Sequence, residues 1–197
     1  MTVVGLTGGS GSGKGMVGGY FSSLGSYVID TDALYHSMIE SDSPCSKEII
    51  SRFGEKIANS RGGVCRSRLA PIVFSDSNSL AALNNIAHKY VREECMRIIS
   101  EKKDYDIVVI DAPQLFEAGM QDICDYTLCV VCDIQQRIDR ICSRDGISRE
   151  KAEQRINAQF TDEYFRLKCD FIIENDSDAA DLLTKTKNIY DKIKEKS

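Results

Sequence analysis

Gly8-Gly-Ser-Gly-Ser-Gly13-Lys14-Gly15 follows directly on the apolar run Val3-Val4-Gly5-Leu6. A short buried-type strand running into a glycine loop with the spacing G-x-x-x-x-G-K, and then into a helix expected over Lys14 to Leu24, restricts the chain to a small set of α/β architectures. The glycines let backbone N–H groups curl around phosphate oxygens, and the lysine ammonium reaches the β- and γ-phosphates. The helix N-terminus adds its unpaired N–H groups and the positive end of its dipole. Gly11, Ser12, Gly13, Lys14, Gly15 and Met16 form the expected nucleotide cradle. A hydroxyl usually follows the lysine and binds Mg²⁺, and here Gly15 stands in that place.

Four more segments read as strands: Tyr27 to Asp30, Asp106 to Asp111, Tyr126 to Cys132 and Asp170 to Glu174. Runs such as Ile107-Val-Val-Ile110 are apolar without alternation, the pattern of strands covered on both faces, and helical stretches separate them. A five-stranded parallel sheet between helices follows. The segments 1–31, 104–133 and 169–197 would form the nucleotide-binding core. Residues 32–103 carry no convincing strand and read as a helical insertion, with a long helix from Ser79 to about Lys103 capped by Ser77 or Asn78. Residues 134–168 read as a second helical insertion, rich in arginine: Arg137, Arg140, Arg144, Arg149, Arg155 and Arg166.

Length and charge narrow the class further. At 197 residues the chain suits one domain with insertions. A net charge of −5 argues against sequence-independent binding to nucleic acid or to an anionic membrane. No apolar run approaches the ~20 residues that span a bilayer, and the start Met1-Thr-Val-Val has no charged leader. A cytoplasmic protein, monomeric or weakly homo-oligomeric, is expected. The eight cysteines are scattered and read as reduced thiols. Cys129-Val-Val-Cys132 has metal-ligand spacing, but it lies in an apolar strand without a second pair and reads as core.

Several charged residues sit where the carboxyl ends of parallel strands converge on one crevice. Asp30 and Asp32 close the second strand; each is either a group facing the γ-phosphate or a helix cap, with catalysis favoured for Asp32 as acceptor of a hydroxyl proton. Asp111 ends an apolar strand, as a metal-holding carboxylate does or as a solvated turn does. Beyond it, Pro113-Gln-Leu-Phe-Glu117 forms a tight turn whose Glu117 either orients substrate or metal or is a surface group. Arg140 and Arg144 lie four apart, on one helix face, where they either stabilise transferring phosphoryl charge or form a solvated face. His36 and His88 read as structural or surface residues.

Taken in order, the loop, Val28-Ile-Asp-Thr-Asp32, Pro113-Gln-Leu-Phe-Glu117, Arg144-Asp-Gly-Ile-Ser148, Arg155-Ile-Asn-Ala-Gln159 and Asp170-Phe-Ile-Ile-Glu-Asn175 resemble the dephospho-coenzyme A kinase family over nearly the whole chain. The resemblance implies a three-layer P-loop NTPase fold with a helical coenzyme-binding insertion and a lid over 134–168. It implies ATP-dependent, Mg²⁺-assisted phosphorylation of the ribose 3′-hydroxyl of dephospho-coenzyme A, the last step of coenzyme A biosynthesis. It implies Asp32 as base, Lys14, Arg140 and Arg144 on the phosphates, and Asp32, Arg66 and Gln159 at the substrate; Glu117 joins the substrate residues and Asp111 is the metal candidate on the residue reading above. The chain departs from the family at Gly15, where serine or threonine is usual, at Gln114 for leucine, and at Lys89 for proline. Two other readings remain open at this point: a kinase for another nucleotide or nucleoside, and a nucleotide-binding regulatory module in which Gly15 impairs transfer.

Overall fold

The computed structural model describes residues 1–196. Among these, five strands alternate with helices: β1 Thr2–Thr7, β2 Tyr27–Asp30, β3 Ile107–Asp111, β4 Tyr126–Val131 and β5 Phe171–Glu174. The longer helices are α1 Lys14–Ser23, α2 Thr31–Glu40, α3 Pro44–Phe53, α4 Arg66–Phe74, α5 Ser77–Glu101, α6 Ile134–Asp145, α7 Arg149–Asn157, α8 Asp162–Lys168 and α9 Ala179–Glu195. The strands stand in the order β2-β3-β1-β4-β5, with β1 parallel to both β3 and β4 and β4 parallel to β5. The parallel five-stranded α/β sheet expected from the apolar runs is therefore present, and strand ends agree with expectation to within a residue.

The apolar runs are continuous because both sheet faces are covered. On one face Val4, Leu6, Val109, Leu128 and Val130 pack with Val17 and Phe21 of α1 and with Leu182, Tyr190 and Ile193 of α9. On the other, Cys129 and Val131 pack with Phe165 of α8. Gly5 alternates onto this second face, where an added Cβ would stand 2.9 Å from Leu115 and Cys124 side-chain atoms. Cys129 is fully buried and Cys132 nearly so, and all eight cysteines are free thiols.

The chain divides into two compact units, one formed by Met1–Ile29 with the chain from Ile99 onward, the other by Asp30–Ile98. The second unit is helical and has its own core, built around Ile39, Ile49, Ile57, Leu69 and Val73. Within the first, α6 and α7 share a small core of Ile138, Ile141, Ala152 and Ile156.

The cap of α5 differs from expectation by a residue, and α2 takes one of the two aspartate caps that the sequence left open. Asp76, rather than Ser77 or Asn78, starts α5: its carboxylate accepts from Ser79 N at 2.8 Å and from Asn78 N at 3.3 Å. A carboxylate can take two of the orphan N–H groups and favours the positive helix end, which a serine hydroxyl does less well. Asp30, rather than Asp32, caps α2, accepting from Ala33 N at 2.9 Å.

Candidate active site

The phosphate loop is held from outside by side chains that none of its own residues supplies. Arg137 Nε donates to the Ser10 carbonyl at 3.0 Å, Arg140 Nη1 to the Gly11 carbonyl at 3.2 Å, and Asn175 Nδ2 to the Ser12 carbonyl at 2.7 Å. In a planar trans peptide the C=O and the following N–H point in opposite directions. Pulling these carbonyls outward therefore turns the Gly11 and Gly13 amides the other way. The Ser12 amide is used inside the loop, donating to Gly9 O at 3.1 Å, and the Ser10 amide donates to Gln159 Oε1 at 2.9 Å. Met16 N donates to the Gly13 carbonyl at 3.0 Å, so the amides left to face an anion are those of Gly11, Gly13, Lys14 and Gly15, a concave nest of donors.

Gly13 is glycine for two reasons. It caps α1 in the left-handed region, φ 94°, and a Cβ there would lie 2.1 Å from Asn175 Nδ2. Ser12 is buried with its hydroxyl unpartnered among the described residues, while Met16 is half exposed on α1. Gly15 has open space around its Cα and a backbone that does not demand glycine, so nothing in the packing prevents a hydroxyl there.

Lys14 Nζ forms an ion pair with Asp111 Oδ1 at the end of β3, both side chains largely shielded from solvent. The strand register explains the contact: Asp111 is the partner of Leu6, immediately before the loop. The turn that follows is tied to the same edge, with Ala112 N donating to Leu6 O at 2.9 Å and Thr7 Oγ1 to Pro113 O at 3.3 Å. Leu115 is buried under it, and Gln114 and Glu117 are exposed.

Both arginines singled out in the Arg-rich insertion are occupied. Arg140 also donates from Nη1 to Cys132 Sγ at 3.1 Å and from Nη2 to Gln136 Oε1 and the Asn175 carbonyl at 3.1 and 3.3 Å. Arg144 is exposed at the end of α6 and makes a two-point contact with Asp145, 2.7 Å from Nε and 3.0 Å from Nη2. Arg155 shares that carboxylate. The Arg144 guanidinium, followed by that of Arg155, holds the Asp145 carboxyl down to about 2.

In the helical unit, Asp32 lies exposed in the first turn of α2, and because Asp30 takes the cap its carboxylate is not spent there. His36 is one turn along the same face. Arg66, exposed at the start of α4, brings Nη1 within 2.9 Å of His36 Nδ1; a guanidinium has donors only, so Nδ1 accepts. His36 therefore has a specific partner where the sequence suggested a structural or surface residue. Lys89, at a position where the resembled family has proline, bridges helices instead: its Nζ meets Glu48 Oε2 at 2.8 Å, and Tyr90 donates to the same oxygen at 2.7 Å.

Gln159 is the expected substrate residue whose surroundings differ most from expectation, since the loop amide of Ser10 already holds its side-chain oxygen. Arg137 and Asn175 were not singled out as site residues, although the signals existed. Arg137 lies three before Arg140 on the same helical face, and Asn175 follows β5 at the carboxyl edge that carries the loop.

The dephospho-CoA kinase family model matches residues 2–181. The chain belongs to the dephospho-CoA kinase family. A dephospho-CoA kinase of Fusobacterium nucleatum is 38% identical over 97% of this chain and 98% of its own. The crystal structure of TT1252 from Thermus thermophilus superposes with a TM-score of 0.81 at 31% identity, covering 97% of both chains. The dephospho-CoA kinase of Campylobacter jejuni superposes with a TM-score of 0.70 at 25% identity, covering 98% and 97%. A kinase fold and family membership along the whole chain do not favour the reading as a non-catalytic regulatory module.

Proposed function

We propose that this dephospho-CoA kinase family member transfers the γ-phosphoryl group of ATP to the ribose 3′-hydroxyl of dephospho-coenzyme A, in the cytoplasm. The observation that carries the donor half is the loop itself, whose carbonyls are pinned outward so that its amides and Lys14 face one anion. Phosphoryl transfer asks the protein chiefly for positioning and charge stabilisation. Lys14 exchanges Asp111 for the phosphates, and Arg140, already on the loop, adds charge behind it. Asp32 accepts the hydroxyl proton and Arg66 binds the acceptor, a role supported by its exposure beside His36 on the Asp32 face of α2. Glu117, exposed on the turn after β3, orients the acceptor. Gln159 acts through the loop, because its oxygen is committed to Ser10. Residues 134–168, which carry Arg140 and Arg144 and are tethered to the loop by Arg137, Arg140 and Gln159, act as the lid; its closure excludes water from competing as acceptor.

The residues fit a Mg²⁺ ion that arrives with the nucleotide. Asp111 would hold it, with phosphate oxygens and water completing the shell and with open space at Gly15 for a water where a hydroxyl is usual. When bound, the ion would neutralise charge between the β- and γ-phosphates.

A coupled assay with purified protein, ATP and dephospho-coenzyme A checks the reading: ADP release must depend on the acceptor, and release no faster than with ATP alone would reject it. Asp32→Asn should lower kcat on the order of 10²–10⁴-fold with ATP affinity unchanged, the range for loss of a general base; an unaltered kcat removes Asp32 from that role.

A further inference from the structure

A buried arginine to which the proposed function gives no part in substrate binding or transfer lies against the back of the loop. Arg137, in the first turn of α6, is 4% exposed. Its Nε holds the Ser10 carbonyl at 3.0 Å and its Nη1 meets Asp162 Oδ1, at the start of α8, at 3.1 Å. Nη2 is buried with no partner among the described residues. The loop packs against this residue: a Cβ on Gly9 would stand 2.2 Å from the side-chain Nη2, and one on Gly11 would stand 2.6 Å from the backbone carbonyl of Arg137. Two of the loop's glycines are thus shaped around one residue.

Burying a cation is costly, and an apolar side chain of similar size would fill the space without that cost. Asp162, itself half-buried, pairs with the Nη1 edge of the guanidinium only, and burial pushes its carboxyl above the usual range against the pull of Arg137. The unpartnered Nη2 edge lies against Gly9, in a loop built for a polyanion. The Ser10 contact also does what no apolar residue could: it fixes the Ser10–Gly11 peptide with its N–H turned away from Arg137.

We infer that Arg137 is a positioning residue for the nucleotide, presetting the phosphate loop through the Ser10 carbonyl and supplying buried positive charge behind it, with Asp162 holding its guanidinium in place. This rests on the loop being the ATP site, as proposed above. Without Arg137 the Ser10–Gly11 peptide is free to rotate, and part of the binding energy of ATP goes into ordering it.

The test is the ATP dissociation constant, read by calorimetry, beside the KM for dephospho-coenzyme A and the melting temperature. Arg137→Ala should weaken ATP at least tenfold while the KM for dephospho-coenzyme A stays within twofold, and millimolar guanidinium should restore part of the ATP affinity. Asp162→Asn should weaken ATP less, without guanidinium rescue. Unchanged ATP affinity in Arg137→Ala, or parallel loss of both substrates with a lowered melting temperature and no rescue, overturns the inference. If the alanine variant does not fold, Arg137→Lys decides, because it keeps the charge and loses the planar fork. Weaker ATP at an unchanged melting temperature supports the inference, and unchanged ATP affinity rejects it. A parent protein that binds ATP but does not phosphorylate dephospho-coenzyme A would sink the proposed function and leave these measurements valid; a parent that binds no ATP sinks both.

Discussion

Gly15 separates two properties that usually travel together, since the phosphate nest needs no side chain there, whereas the metal shell would take a water in place of the usual hydroxyl. Its Cα faces open space and its backbone is ordinary, so Gly15→Ser should be accommodated. The substitution should stabilise α1 by roughly 0.3–0.5 kcal/mol through helix propensity, and it should lower the Mg²⁺ concentration needed for half-maximal rate. Thermal melting and a Mg²⁺ titration of the rate check the two halves independently, and a melting temperature that falls would contradict the open space. Gly13 is the opposite case. Any side chain there meets Asn175, and the left-handed φ adds strain, so Gly13→Ala should abolish ATP binding.

At the scale of elements, function depends on how helix ends are finished. Asp30 capping α2 leaves Asp32 available, a division the motif does not reveal, because both aspartates have the right chemistry and only the backbone conformation at Asp30 selects the cap. After α7, Gln159 reaches back to the loop. Gln159→Ala removes one acceptor, worth about 1 kcal/mol, and should weaken ATP about fivefold with kcat at saturation little changed, as initial-rate kinetics would show. At the end of α6, Asp145 gathers Arg144 and Arg155. Its carboxyl is depressed in the folded protein to about 2, so the stabilisation is full above the unfolded value near 3.9 and is lost as pH falls through about 2. Between pH 4 and 2 the parent should therefore lose stability more steeply than Asp145→Asn, as acid-unfolding profiles at several denaturant concentrations would show.

For the molecule as a whole, the sheet is both the core and the scaffold of the nucleotide site, so defects in packing should reach the loop. Leu128, fully buried in β4, packs among residues of α1, α9 and the neighbouring strands. Leu128→Ala should cost about 2–5 kcal/mol, a large share of a typical margin of about 5–15 kcal/mol, with the urea midpoint as the readout. No helix among the described residues is long and apolar enough to cross a membrane.

Strands, loop and the helical character of 32–103 were legible in the sequence because each has a local cause: an unbroken apolar run, a glycine spacing or an amphipathic period. Family membership was legible for the same reason, through short motifs in a set order. Readable from the chain alone are therefore the architecture and the phosphate loop with Lys14. Which side chains hold the loop in place emerges only in the folded protein. Arg137, Gln159 and Asn175 lie 127, 149 and 163 residues from their loop partners, and no local pattern records a hydrogen bond over such a separation. The physical reason is that a strand or a cap is settled by neighbouring residues, whereas the direction of a loop carbonyl is settled by whichever donor the finished fold brings behind it.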